Sequence, residues 1–270
     1  MTRPAPAQDP AAGPVAVLGL GEAGSEISRD LVGAGIAVRG YDPVAPVPDG
    51  VVAAASEADA CTGAGLVLSL TTAHESEAAL RAALPGIGPG ALYADLNTAA
   101  PGLKQRLAEI AAGAGVAFAD VAVMSSVPGR GLRVPLLVSG AAAAEVTAAI
   151  NGAGGRAELL GGPAGAAATR KLVRSVFYKG LAAAVVEALR AGRAAGCEDW
   201  LRGNIAGELA EAGPGTVDRM EESSVTHAVR RADEMSAAAQ LLDELGIPAR
   251  VTEASLAWLT QLAQESATAH

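Results

Sequence analysis

Hydrophobic and polar positions follow two different rhythms along this chain, and the change between them divides it. In the first half, short apolar runs alternate with helix-spaced stretches. "VAVLGL" (15–20) closes on glycine, helical spacing follows from Ala23 to Gly33, and "IAVRGYD" (36–42) is a second run. "GLVLSL" (65–70), "ALYADLN" (91–97) and "VAFADVAV" (116–123) come later, the last two separated by the helix-like "PGLKQRLAEIAAGAG". "VPLLVSG" (134–140) adds a strand and "AAAAEVTAAING" (141–152) a helix. Strands that alternate with helices imply right-handed crossovers and a mainly parallel sheet.

The rhythm changes after the Gly-rich junction "GGPAGAAATR" (161–170). No further strand pattern appears. Four helical stretches follow, at 167–196, 197–213, 216–246 and 249–264. The expected organisation is a tail at 1–13, an α/β domain at 14–163 and an all-α domain at 164–270, the latter serving substrate binding and dimerisation.

Half of the 270 residues are hydrophobic but only 3% are aromatic, so the core must be Ala, Val and Leu in close contact. A net charge of −9 argues against a nucleic-acid or anionic-membrane surface. The two cysteines, Cys61 and Cys197, have no metal-ligand spacing, and no metal site is expected. The Pro- and Ala-rich start has no signal-peptide core. No uncharged apolar run reaches the roughly 18 residues of a membrane span. The expectation is a cytoplasmic protein.

The first strand runs into Gly19, Leu20, Gly21, Glu22, Ala23 and Gly24, a G-x-G-x-x-G turn that opens a helix, and Asp42 ends the next strand 23 positions after Gly19. In a Rossmann-type domain the first glycine permits the turn. The second lets a pyrophosphate approach, the third lets helix and strand pack, and the helix N-terminus offers free N–H groups. Asp42 can accept from ribose hydroxyls. Pro43-Val44-Ala45-Pro46 follows it with no cation for a 2′-phosphate, so NAD is favoured and NADP is the second choice. Arg39 is set three residues earlier, on the opposite face of its strand.

Of 20 Lys plus Arg, only Lys104, Lys171 and Lys179 are lysine. Arg keeps its proton at usable pH, whereas a partly buried Lys can exchange it. Lys171, Ser175 and Lys179 follow i, i+4, i+8 and line one helical stripe. Lys104, between Leu103 and Gln105, reads as a surface residue. In "THAVRRADEM" (226–235), His227, Arg231 and Glu234 have one-face spacing. They suit recognition of an acidic substrate or, slightly favoured, a solvated ion-paired face.

"GLGEAG", "DLNTAAP", "DVAVMSSVPGRG" and "GAAATRKLVRSVFYKG" together resemble, over about 14–260, the β-hydroxyacid dehydrogenases. That group includes 3-hydroxyisobutyrate and 6-phosphogluconate dehydrogenases, and the resemblance is to a bacterial branch with a compact helical C-terminal domain. It implies that Asn97 and Thr71 lie beside the nicotinamide, and that Ser125 and Ser126, with Met124 at the usual Ser position, face the substrate carboxylate. Arg130 and Lys179 are further candidates for an acidic substrate group. It implies Lys171 as general acid/base and Ser175, where Asn is usual, as the residue orienting the substrate oxygen. The expected activity is hydride transfer between NAD(P) and a small hydroxy or keto acid by a homodimer. The alternatives are an imine reductase on the same scaffold and a non-catalytic NAD-binding sensor.

Overall fold

A computed structural model describes residues 13–268. The tail expected at 1–13 lies outside the described residues apart from Gly13. The chain divides into two compact units, Met1–Arg174 and Ser175–His270.

The first unit runs β1 (Val15–Leu18), α1 (Glu22–Gly33), β2 (Val38–Tyr41), β3 (Val52–Ala53), α2 (Glu57–Cys61), β4 (Leu66–Ser69), α3 (Ser76–Ala83) and β5 (Leu92–Asp95). It continues with α4 (Pro101–Gly113), β6 (Ala117–Val123), β7 (Pro135–Ser139), α5 (Ala143–Gly152) and β8 (Arg156–Leu159). The eight strands form one sheet in the order β3-β2-β1-β4-β5-β6-β7-β8, with β6–β7 the antiparallel pair. This is a Rossmann-type α/β layer. Alternation splits its core between two faces. Val15, Val17, Leu66 and Leu68 pack with Ile27 and Leu31 of α1, while Ala16, Leu18, Val67 and Tyr93 pack with Leu107 and Ala111 of α4. A sheet covered on both faces needs near-continuous apolar strands, which is what the sequence supplies.

Strand order reverses between β1 and β4, which leaves a crevice beyond their C-terminal ends. Register sets a second feature beside it. Ser69, Asp95, Asp120 and Ser139 are direct neighbours across β4, β5, β6 and β7. All four are fully buried, so a polar row crosses an apolar sheet.

The helices that follow are α6 (Ala166–Ala194), α7 (Glu198–Ala210), α8 (Thr216–Thr226), α9 (Ala228–Glu244) and α10 (Arg250–Thr268). The stretch 216–246 forms two helices rather than one, parting at His227. The junction expected at residue 163 and the division between units differ by the first turns of α6. Ala167 and Ala168 are buried in the first unit, so α6 begins there. None of the described helices is long and apolar enough to cross a membrane.

In the second unit, buried Glu187 of α6 caps α10. Oε2 accepts from the Val251 amide at 2.8 Å, and Oε1 accepts from the Thr252 amide and hydroxyl, each at 2.8 Å. Burial pushes the Glu187 carboxyl up, but these donors outweigh it and hold the group below its ordinary value of 4.5. A depressed folded pKa contributes stability that is present above the unfolded value of ~4.3 and is lost as pH falls through the folded value. Glu187→Gln should therefore lower the denaturation midpoint at pH 7 and converge with the parent in acid. A gap unchanged between pH 7 and pH 3 would mean that the charge of Glu187 adds nothing.

Candidate active site

The glycine turn after β1 is closed on two sides and open on the third. Gly19 has φ +89°, and a Cβ there would meet the Leu70 carbonyl oxygen at 2.5 Å. A Cβ on Gly24 would lie 1.9 Å from the Gly19 carbonyl oxygen, so α1 seats directly on the turn. Gly21 instead has nothing within 4 Å of its absent side chain, which leaves the start of α1 open to a phosphate. Leu20 is buried, Ala23 packs against the core, and Glu22 is exposed in the first turn of α1. These residues fit a dinucleotide.

Asp42 is engaged by three backbone amides. Its Oδ2 accepts from the Leu20 amide at 2.7 Å, and its Oδ1 accepts from the Val44 and Ala45 amides at 2.8 Å each. Burial raises its pKa, yet the amides of Ala45, Val44 and Leu20 hold it below the usual value. Oδ2 has room for a second donor, such as a ribose hydroxyl. Arg39 is turned away and held by the Asp59 carboxylate at 2.7 Å and the Asp59 carbonyl at 2.8 Å.

Asn97 and Thr71 meet at the ends of β5 and β4. The Asn97 Nδ2 donates to Thr71 Oγ1 at 3.2 Å, to Ser69 Oγ at 3.3 Å and to the Asp95 carboxylate. Its Oδ1 is buried with no hydrogen-bond partner among the described residues. Next to it, Lys171 of α6 donates to Thr98 Oγ1 at 2.6 Å. Asn97, Thr98, Ala122, Ala168 and Lys171 surround a narrow gap too tight to admit a water molecule. Burial, then the charge of Lys104, push the Lys171 pKa below the ordinary lysine value, against the pull of Asp120.

Lys104 corrects the sequence reading. It is fully buried, not a surface residue. Its ammonium lies 2.7 Å from Asp95 Oδ2, 3.0 Å from Asp120 Oδ1 and 2.9 Å from the Asp95 carbonyl. The buried positions of α4 are Lys104, Leu107 and Ala111, one stripe at i, i+3, i+7. Asp95 and Asp120, on inward strand positions, called for such a partner.

The other expected residues are less engaged. Ser125, Ser126 and Arg130 are exposed. Their loop is tied to α1 by the Gly129 amide on Glu26 at 3.1 Å and the Leu132 amide on Asp30 at 2.8 Å. Ser175, Lys179 and His227 belong to the second unit, Ser175 half-buried and the other two exposed. Arg231 and Glu234 share one face of α9, and the exposed pair of Glu234 with Arg230 fits the solvated, ion-paired face. His227 occupies the break between α8 and α9, Arg231 donates to Ser223 and Ser224, and Glu234 pairs with Arg230. Among the described residues no cluster of metal ligands occurs.

Residues 14–150 match the family model described as the NAD binding domain of 6-phosphogluconate dehydrogenase, and 193–262 match a domain of unknown function. An NAD-dependent L-serine dehydrogenase from Pseudomonas aeruginosa is 30% identical over 195 residues, covering 68% of this chain and 65% of the relative's length. A conserved hypothetical protein from Sinorhizobium meliloti is similar in structure, with TM-score 0.61, 28% identity, and 92% and 87% of the two chains covered. A reductive aminase from Aspergillus terreus, solved with NADPH4, cyclohexanone and allyl amine, has TM-score 0.78 over 94% of each chain. Its identity is 19%, a likeness of fold alone.

Proposed function

From the premise that this chain belongs to the β-hydroxyacid dehydrogenase-like superfamily, through its NAD binding domain of the 6-phosphogluconate dehydrogenase type, we propose that it oxidises or reduces a small hydroxy acid or keto acid with NAD(H). The carrying observation is Lys171: half-buried, bound to Thr98 at 2.6 Å and set beside Asn97, whose buried Oδ1 lacks a hydrogen-bond partner among the described residues. A bound nicotinamide supplies or accepts the hydride. Lys171 protonates the substrate oxygen in the reductive direction, and its neutral amine removes the hydroxyl proton in the oxidative one. The depressed pKa of Lys171 serves the second role, since it raises the fraction of neutral amine near neutral pH. Ser175, one turn farther along α6, orients that oxygen. Asn97 and Thr71 position the nicotinamide amide, and Ser125, Ser126 and Arg130 meet the substrate carboxylate.

The serine dehydrogenase relative makes L-serine and its homologues the first substrates to try. A panel of hydroxy acids, keto acids and cyclic imines, followed by reduced-nicotinamide absorbance, tests the reading. Turnover of imines alone would replace it with imine reduction, and binding without turnover with a sensor. Fluorescence titration should give tighter binding of NAD(H) than NADP(H), because Asp42 repels a 2′-phosphate and Arg39 is committed to Asp59. The reverse order would mean that another cation reads the phosphate. A second copy of the chain is the proposed partner, since the helices of the second unit expose Phe177, Leu181, Val186, Trp200 and Trp258. Light scattering that reports a stable 26.6 kDa monomer would reject it.

A further inference from the structure

Three buried charged groups have no part in the proposed reaction. Lys104, Asp95 and Asp120 are fully buried beneath the gap that Lys171 lines. A buried group of one ammonium and two carboxyls is costly to assemble, burial pushes the Asp95 carboxyl above its ordinary value against the pull of Lys104, and well-packed apolar side chains often do as well or better. Its connections give it a purpose. The second oxygen of Asp120, Oδ2, accepts from the amides of Gly165 and Ala168 at 3.1 and 3.0 Å, which fixes the first turn of α6. Lys171 follows Ala168 by three residues, on the same side of that helix. The second oxygen of Asp95, Oδ1, accepts from Asn97, which in turn holds Thr71. Thr98, the partner of Lys171, is the next residue after Asn97. Both arms of the site thus converge on one ammonium.

We propose that Lys104 is a positioning residue for Lys171 and Asn97, acting through the ion cluster that it closes beneath them. The inference rests on the reading of Lys171 as the proton carrier. Lys104 also places a second positive charge near Lys171, so that Lys171 releases its proton more readily than a lone ammonium would. Among the described residues, the charged and polar groups near Lys171 include Asp120 from β6, Asn97 and Thr98 after β5, Lys104 from α4, and Arg170, Arg174 and Ser175 on α6 itself. Of these, Lys104 and Asp120 pull its proton affinity in opposite directions.

The scarcity of lysine makes the test direct. Lysine labelled with ¹³C at Cε gives three side-chain signals, from Lys104, Lys171 and Lys179, assigned with Lys171→Arg and Lys179→Arg. In the parent protein the midpoint of Lys171 should lie below the ordinary lysine value of ~10.4, and a midpoint at or above that value would overturn the proposal. The paired variant Lys104→Met/Asp95→Asn removes the cation and one anion together, so the formal charge of the cluster is kept and the remaining carboxylate, Asp120, still accepts from the Gly165 and Ala168 amides. Its Lys171 midpoint should rise by ~0.5 pH unit or more relative to both the parent and Asp95→Asn. The pH limb of kcat/KM should move with it. If that variant does not fold, Lys104→Gln keeps a donor for the Asp95 carbonyl without the charge, and the same rise is expected. An unmoved or falling Lys171 midpoint sinks the proposal, because a purely structural role for Lys104 would lower activity at every pH alike. The two readings fail separately. Full turnover in Lys171→Arg with a moving midpoint rejects the catalytic reading and keeps the coupling. An inactive Lys171→Arg with a fixed midpoint rejects the coupling alone.

Discussion

Lys171→Arg should lower turnover by about 10²- to 10⁴-fold, the usual contribution of general acid/base catalysis. Arg keeps the positive charge and the reach to Thr98, so electrostatic attraction of an acidic substrate survives. It cannot give up a proton at working pH. Dinucleotide affinity should stay nearly constant, because the glycine turn and Asp42 lie after β1 and β2, away from α6. Lys179→Arg is the control. Lys179 is exposed and two helical turns farther on, about 12 Å along the axis. A larger defect at Lys179 would assign the chemistry to that residue. Full activity in both variants would move the proton to Ser125, Ser126 or water.

Lys104→Ala should destabilise the first unit by about 3–5 kcal/mol, the usual cost of breaking a buried ion pair by removing one partner. Asp95 and Asp120 are neighbours in register, so without the ammonium they would be two like charges side by side in an apolar layer. One of them must then take up a proton. Urea denaturation across pH measures the effect: the deficit should shrink in acid, where both carboxyls are protonated in the variant and the parent pair is lost as well. A deficit below about 1 kcal/mol, the range of an exposed ion pair, would mean that water reaches the cluster.

The Rossmann half of the fold was legible because each central strand carries a continuous apolar run and each crossover a helical rhythm. The strands that escaped notice lack that signature. β3 is two exposed residues, and β8 ("RAEL") is an edge strand with three of its four positions exposed. The break at His227 was hidden because no Gly or Pro interrupts 216–244, so nothing local marks the end of α8. Within the site, Gly19, Gly24 and Asp42 could be located from spacing. What spacing could not give was that Asp42 would be engaged by three backbone amides. Lys104 went unseen for a different reason. Its type suggested solvent, and only the geometry of α4 against two aspartates reverses that expectation.

The three amides on Asp42 bear on any attempt to re-engineer cofactor preference. The simplest exchange, a cation in place of the acid to welcome a 2′-phosphate, would also release the Leu20 amide that steadies the glycine turn and the Val44 and Ala45 amides that fold the following loop. Gain at one end of the dinucleotide would be offset by a slackened grip on its pyrophosphate. A successful redesign must therefore transplant the segment from 42 to 45 as a unit, with a new acceptor for Leu20, and place the cation beyond it.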